Sequence, residues 1–247
     1  MRRRELAGHS KWAQIKRKKA VNDKQRGKVI SKHIHAIQTA VREGGSGDPA
    51  ANLLLKNTLA AAKTDDVSSD NINRAIERGL GSADGGLFET AIYEGYGPHG
   101  VAILIEALTD NRNRTAAEVR HIFSKHGGNM SGSTAWQFEA KGVIVITKAD
   151  EKAQELAIDQ GAADLELESD VLTIYTAPND LASVLDSLNS AGYQPEFSQI
   201  TKVPQIETPL SDRHAVQVAS MLESFEELDD VQNVFTTANF SNLDVVG

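Results

Sequence analysis

The cations of this chain are concentrated at one end. Residues 1–42 hold 13 Lys and Arg against 2 Asp and Glu. Lys and Arg at that density neutralise phosphates and release their counterions, which gives salt-sensitive binding with weak sequence selectivity. The residues that would do this are His9, Ser10, Lys11, Trp12, Lys16, Arg17, Lys18 and Lys19, followed by Lys24, Arg26, Lys28 and Lys32. A tryptophan among cations can stack on an unpaired base. Trp is also usually buried, and anchoring the segment to its own domain is the favoured reading of Trp12. A second candidate is Thr109-Asp-Asn-Arg-Asn-Arg-Thr115, which opens a helix. Helix N-terminal amides with Arg112, Arg114 and Arg120 would suit a phosphate. Ion pairing of those arginines with acids of the same chain is the equal alternative.

The charge distribution of the whole chain sharpens this. Residues 1–82 carry 17 Lys and Arg against 8 Asp and Glu, and residues 83–247 carry 9 against 26. The formal net charge of −8 therefore hides a basic segment and an acidic body. Such asymmetry suggests a basic part that meets a polyanion. The other reading is a basic face held against the chain's own acidic body.

Enzymatic chemistry finds little footing. With no cysteine there are no thiolate metal sites, disulfides or cysteine nucleophiles, and a reducing, cytoplasmic setting fits. His33 and His35 point to opposite sides of a helix, and His121 and His126 do not share a ligand face well, so no metal site is expected. No HExxH, phosphate-loop or Gly-x-Ser-x-Gly pattern occurs. The Gly-rich stretch Gly95-Tyr-Gly-Pro-His-Gly100 reads as a strand connection. The run Glu226-Glu-Leu-Asp-Asp230 reads as a solvated helix end rather than a cation site. No apolar run approaches the roughly 20 residues of a membrane helix. The basic start, Met1 to Leu6, lacks the apolar segment of a signal peptide. No cofactor and no membrane partner is expected.

The elements that would position these residues change character along the chain. Ile30, Ile34, Ile37 and Val41 share one helix face, and Gly44-Gly45-Ser46-Gly47 ends that helix. Asp48-Pro49 is expected to open a second helix with Ala51, Leu54, Leu55, Thr58, Leu59 and Ala62 on its apolar face. A third starts near Ser69, carries Ile72, Ala75 and Ile76, and stops at Gly79. Residues 82–86 read as a linker. Strands follow at Ala91–Glu94 and Val101–Leu108. A helix spans Thr115–His126, with Thr115 and Glu118 as a capping box and Gly127-Gly128 closing it. Residues 142–200 then read strand, helix, strand, strand, helix, strand, with a turn at Ser169-Asp170, which is the order of a ferredoxin-like unit. A last amphipathic helix (211–227, with Val216, Val218, Ala219, Leu222 and Phe225) and a strand (Val231–Thr236) complete the chain.

Two strands and one helix cannot close a core, so the final helix and strand should join them. The expected fold is α+β, an N-terminal three-helix domain followed by two α/β domains, the second ferredoxin-like and inserted into the first. The boundaries read 1–82, then 83–141 plus 201–247, with 142–200 as the insertion.

Several of these stretches resemble the YebC/PmpR family. They are Gly8-His-Ser-Lys-Trp-Ala13 with Ile15-Lys16, Arg26-Gly-Lys28, Asp70-Asn-Ile72 with Arg74-Ala-Ile76, Tyr93-Glu-Gly-Tyr-Gly-Pro98, Leu108 to Thr115 with Glu118-Val-Arg120, and Phe123 to Asn129. The resemblance runs from about Ala7 to the C-terminus and is densest over 7–140. It implies a helical N-terminal domain, two α/β domains with one inserted in the other, and a DNA-binding transcriptional regulator. Members of the family also act in translation, which leaves a ribosome-associated, RNA-binding factor as the alternative. Three features depart from the family pattern: the extra Met1–Leu6, a longer Thr64–Ser69 connection, and an Asn129–Thr134 segment shorter by about two residues. The expected mechanism is a phosphate clamp at residues 8–32, positioned by the helical domain, with Arg112, Arg114 and Arg120 as a second contact. The acidic body would repel surplus nucleic acid or meet a protein partner. The helices contain no clear sequence-reading helix of the kind a dimeric DNA reader presents.

Overall fold

Ile30, Ile34, Ile37 and Val41 line one side of a single long helix, α1 (Asp23–Gly44). In the computed structural model, residues 23–81, 88–147, 149–168 and 171–240 are described; the side chains of 23–28 and of Glu168 are not. Helix α1 packs against α2 (Leu53–Thr64) and α3 (Ser69–Gly81), burying Ile37, Val41, Leu55, Ala62, Ile72 and Ala75.

Helix α2 does not begin at Asp48-Pro49. Asn52 caps it, accepting from the Leu55 amide at 3.0 Å. The amide nitrogen of the same buried side chain donates to the Ala40 and Ser46 carbonyls at 2.8 and 2.9 Å. One Asn thus satisfies the helix start and the end of α1, and it outcompetes Asp48, which folds back onto Ala50 at 2.9 Å. Leu54, expected on the apolar face, is exposed as a result. Gly79 does not stop α3. It lies against α1, where a Cβ would come within 2.8 Å of Val41 Cβ, and the helix runs on to Gly81.

The first sheet contains β1 (Glu89–Tyr96), β2 (Ala102–Thr109) and β7 (Val231–Thr236), antiparallel in the order β1-β2-β7. Helices α4 (Arg112–Lys125) and α7 (Asp212–Glu226) cover one face, enclosing Ile103, Ile105, Val119, Phe123, Leu222 and Phe225. Val216 of α7, expected in this face, is 59% exposed. Ala215 is buried in its place, while Val218, Ala219, Leu222 and Phe225 lie on the expected face.

Between α4 and α7 the chain builds a second sheet. Its strands are β3 (Phe138–Thr147), β4 (Asp164–Glu168), β5 (Val171–Thr176) and β6 (Phe197–Pro204), antiparallel in the order β4-β5-β3-β6. Helices α5 (Glu151–Asp159) and α6 (Leu181–Ser190) pack on it around Ile144, Ile146, Leu172, Ile174, Val184 and Leu188. Counted within the unit, the strand order is 2-3-1-4, the ferredoxin-like arrangement. The chain is therefore α+β, with three N-terminal helices and a ferredoxin-like unit inserted into the first α/β layer. Strands β3 and β6 extend beyond the expected spans, and the added residues dock the two sheets. Phe138 packs with Leu104 and Phe235, while Lys202 pairs with Glu106 at 2.8 Å. The turn at 169–170 and the linker at 82–86 lie outside the described residues. No described helix is long and apolar enough to cross a membrane.

Candidate nucleic-acid interface

The Thr109–Thr115 motif closes on Asp230, a buried carboxylate just before β7. Its Oδ2 accepts from Thr115 Oγ1 at 2.6 Å, from Arg114 Nη2 at 2.7 Å and from Thr109 Oγ1 at 2.9 Å. Arg114 also reaches Asp110 at 2.9 Å. Burial pushes the Asp230 carboxyl up, but the three donors outweigh it and hold it below the usual carboxylate range. The knot joins the end of β2, the start of α4 and the α7–β7 turn.

That closure changes the expected helix start. Asn111 is the N-cap of α4, accepting from the Arg114 amide at 3.1 Å. Thr115 lies inside the helix and spends its hydroxyl on Asp230, so it forms no capping box with Glu118. An Asn four residues earlier stands where β2 has just ended, and it takes the cap first. Arg114 therefore pairs with acids of its own chain, the alternative reading of these arginines. Arg112 and Arg120 are exposed on α4; Arg112 lies 3.7 Å from the exposed Glu89. His121 and Lys125, which the sequence pattern does not mark as anion contacts, are also exposed along this helix.

His9, Ser10, Lys11, Trp12, Lys16, Arg17, Lys18 and Lys19 lie outside the described residues. Lys24, Arg26 and Lys28 belong to the first turns of α1, whose backbone alone is described. Lys32 is placed in full. Its Nζ donates to the Glu226 carbonyl at 3.2 Å, across to the C-terminal end of α7. One turn later His35 rests on Phe88, ring centroids 4.5 Å apart. Burial holds the His35 imidazole below its ordinary value, against the opposing pull of Asp230, Asp229 and Asp110. These groups border a cleft of about 410 Å³ lined also by Arg114, Glu118 and Glu227. The acidic run 226–230 is thus not merely a solvated helix end: its residues 227–230 border this cleft beside α1. Sequence spacing carries no sign of this, because the partners are nearly 200 residues apart.

Two further groups escape a reading of the sequence. Glu94 of β1 accepts from the Ala135 amide at 2.7 Å and from Ser133 Oγ at 2.9 Å, and it also bonds the Thr134 amide. Burial pushes its carboxyl up, and these donors bring it below the usual range. They pin the turn that presents Trp136, 67% exposed, with its indole N–H on the Ser133 carbonyl at 3.0 Å. Among the described residues no three His, Cys, Asp or Glu side chains form a group able to hold a metal ion.

A three-helix domain joined to an α/β layer that carries a ferredoxin-like insertion defines a particular class of two-sheet, multidomain protein. Residues 10–82 match the family model described as the TACO1/YebC protein N-terminal domain, and residues 88–238 match that of the TACO1/YebC second and third domain. The chain belongs to the TACO1/YebC family. It is 56% identical over 237 residues to a "Probable transcriptional regulatory protein" of Deinococcus radiodurans, covering 95% of this chain and 97% of that one. A protein of the same description from Thermus thermophilus is 50% identical over 243 residues, covering 97% and 99%. The crystal structure of a conserved hypothetical protein from Aquifex aeolicus superposes with a TM-score of 0.76 at 41% identity, covering 88% of this chain and 91% of that one.

Proposed function

We propose that this protein is a DNA-binding transcriptional regulator without enzymatic activity of its own, gripping phosphates with its basic N-terminal segment and α1. The observation that carries this reading is the charge split: 13 cations against 2 acids in residues 1–42, on a chain of net charge −8. Regulatory relatives over nearly the full length support it. In this reading His9, Ser10, Lys11, Trp12, Lys16 to Lys19, Lys24, Arg26, Lys28 and Lys32 face the polyanion. Arg112 and Arg120 supply a second contact from α4, and Arg114 fixes that helix through Asp230. The helical domain (1–82) positions the clamp; the discontinuous domain (83–141 and 201–247) and the insertion (142–200) form the acidic body, which limits non-specific binding or meets a protein partner. A cytoplasmic location follows from a nucleic-acid target.

The test is fluorescence anisotropy of the full chain on a labelled promoter-length duplex across a salt series. Changing Lys16, Arg17, Lys18 and Lys19 together to Ala should lower affinity at every sequence. It should also flatten the log–log salt slope by about 0.9 for each phosphate no longer neutralised. Unchanged affinity in a folded variant would sink the clamp. Co-sedimentation with ribosomes that excess duplex cannot displace would move the target to RNA and the role to translation.

A further inference from the structure

We infer that the acidic corner at the end of α7 is an intramolecular latch for helix α1, and that nucleic acid competes with it for that helix. The competitor rests on the nucleic-acid reading above; the latch itself rests on contacts.

The body half of the latch is the C-terminal end of a 15-residue helix, Asp212–Glu226. The last carbonyls of a helix lack internal partners and carry the negative end of its dipole, so they attract cations. Lys32 Nζ donates to one of them, the Glu226 carbonyl, at 3.2 Å. Glu227 and Asp229 stand exposed beside it. Both border the cleft that His35 enters from α1.

The α1 half is thin. Ile30, Ile34, Ile37 and Val41 are spent on the core of the helical domain. Among the described residues, α1 offers the body the Lys32 ammonium and the His35 imidazole, with Phe88 beneath the imidazole. The shielded Nδ1 of His35 has no hydrogen-bond partner among the described residues, an unmet cost that weakens the closed contact. A contact held chiefly by partly exposed charge is screened by salt. Lys32 follows Lys24 and Lys28 at four-residue spacing along α1. A phosphate that takes the Lys32 ammonium removes it from Glu226. Binding and undocking are therefore linked, and each shifts the other's equilibrium by the same factor.

The chain has no cysteine, so dyes can be placed without ambiguity. We would introduce Lys56→Cys in the helical domain and Ser183→Cys in the insertion, both exposed, and read energy transfer in the full chain. Against this background we would compare Glu227→Gln/Asp229→Asn with a charge-matched control at exposed sites far along the chain, Glu155→Gln/Asp186→Asn. The corner variant should change transfer efficiency without ligand and bind the duplex about threefold to tenfold more tightly. The control should do neither. Raising salt from about 0.05 M to about 0.5 M should move unmodified protein towards the corner variant's transfer value. Equal effects of the two variants, or transfer unmoved by both salt and the corner variant, would overturn the latch. Opening with salt and variant in a chain that binds no duplex would overturn the nucleic-acid reading and its competition, leaving the latch standing.

Discussion

Helices α1 and α4 both carry cations, and they hold them in opposite ways. On α4, Arg114 bonds to Asp230, whose side chain is only 7% exposed and is bound by two threonine hydroxyls as well. On α1, Lys32 reaches a backbone carbonyl at the end of another helix. The first arrangement ties three segments together around a buried charge. The second includes a charge-assisted bond from the helical domain to the end of α7. We expect cations of the same formal type to be of two kinds here: those that hold the fold and those that remain exchangeable. The acceptors differ: a backbone carbonyl on one side, and on the other a carboxylate that is 7% exposed and holds three donors.

The largest effect should come from removing that acceptor. Asp230→Ala leaves Thr109, Thr115 and Arg114 without their shared partner, and should cost about 2–4 kcal/mol in urea unfolding. The acidity of this carboxyl adds a pH signature. Its value is lowered in the folded state, so its contribution is present above the ordinary value of 3.8 and is lost as pH falls through the lower folded value. Asp230→Asn should flatten that acid limb; an unchanged limb would place the acid sensitivity elsewhere.

The same lesson can be tested in the helical domain, where the organising group is neutral. Asn52→Ala removes a helix cap and two further hydrogen bonds, and should cost about 1–2 kcal/mol. Asn52→Asp should retain the cap but set a buried carboxylate oxygen against the Ala40 and Ser46 carbonyls, and cost at least as much as Asn52→Ala. A loss for Asn52→Ala no larger than for Asp48→Ala would return the cap to the position that the sequence pattern suggests.

That contrast also marks how far the sequence is readable. The apolar strand runs and the 3.6-period faces of α1 and α7 are legible because each is a local pattern that burial enforces, and the βαββαβ order is legible because it is a sequence of such patterns. The caps are not. Asp48-Pro49 and Thr115 with Glu118 are good local signals, but Asn52 and Asn111 win through partners supplied by the surroundings: Ala40 and Ser46 for one, the β2 end for the other. The candidate second contact is half legible for the same reason. Three arginines are visible, but not the distant Asp230 that claims one of them.

A smaller effect separates the arginines themselves. Arg112→Ala and Arg120→Ala should each weaken duplex binding about twofold to fivefold and leave the urea midpoint unchanged. Arg114→Ala should do the reverse, lowering the midpoint while the affinity of the folded protein changes little. The salt slope adds a second reading, falling by about 1 for each arginine that touches a phosphate. If Arg114→Ala flattens the slope and Arg112→Ala does not, the division between holding and exchangeable cations is wrong for α4.

The smallest effect belongs to His33, which joins α1 to Asp65 after α2 through a 2.6 Å contact with an acid that is 51% exposed. By the rule drawn from Arg114, an exposed acceptor gives little, and His33→Ala should shift stability by about 0.5 kcal/mol or less. The measurement worth making is a double-mutant cycle with Asp65→Ala at low and high salt. Coupling that vanishes with salt places this pair with Lys32 among the exchangeable contacts. Coupling that persists would mean that the half-buried imidazole behaves like Asp230, and that burial of either partner, not of the acceptor alone, decides which charges hold the fold.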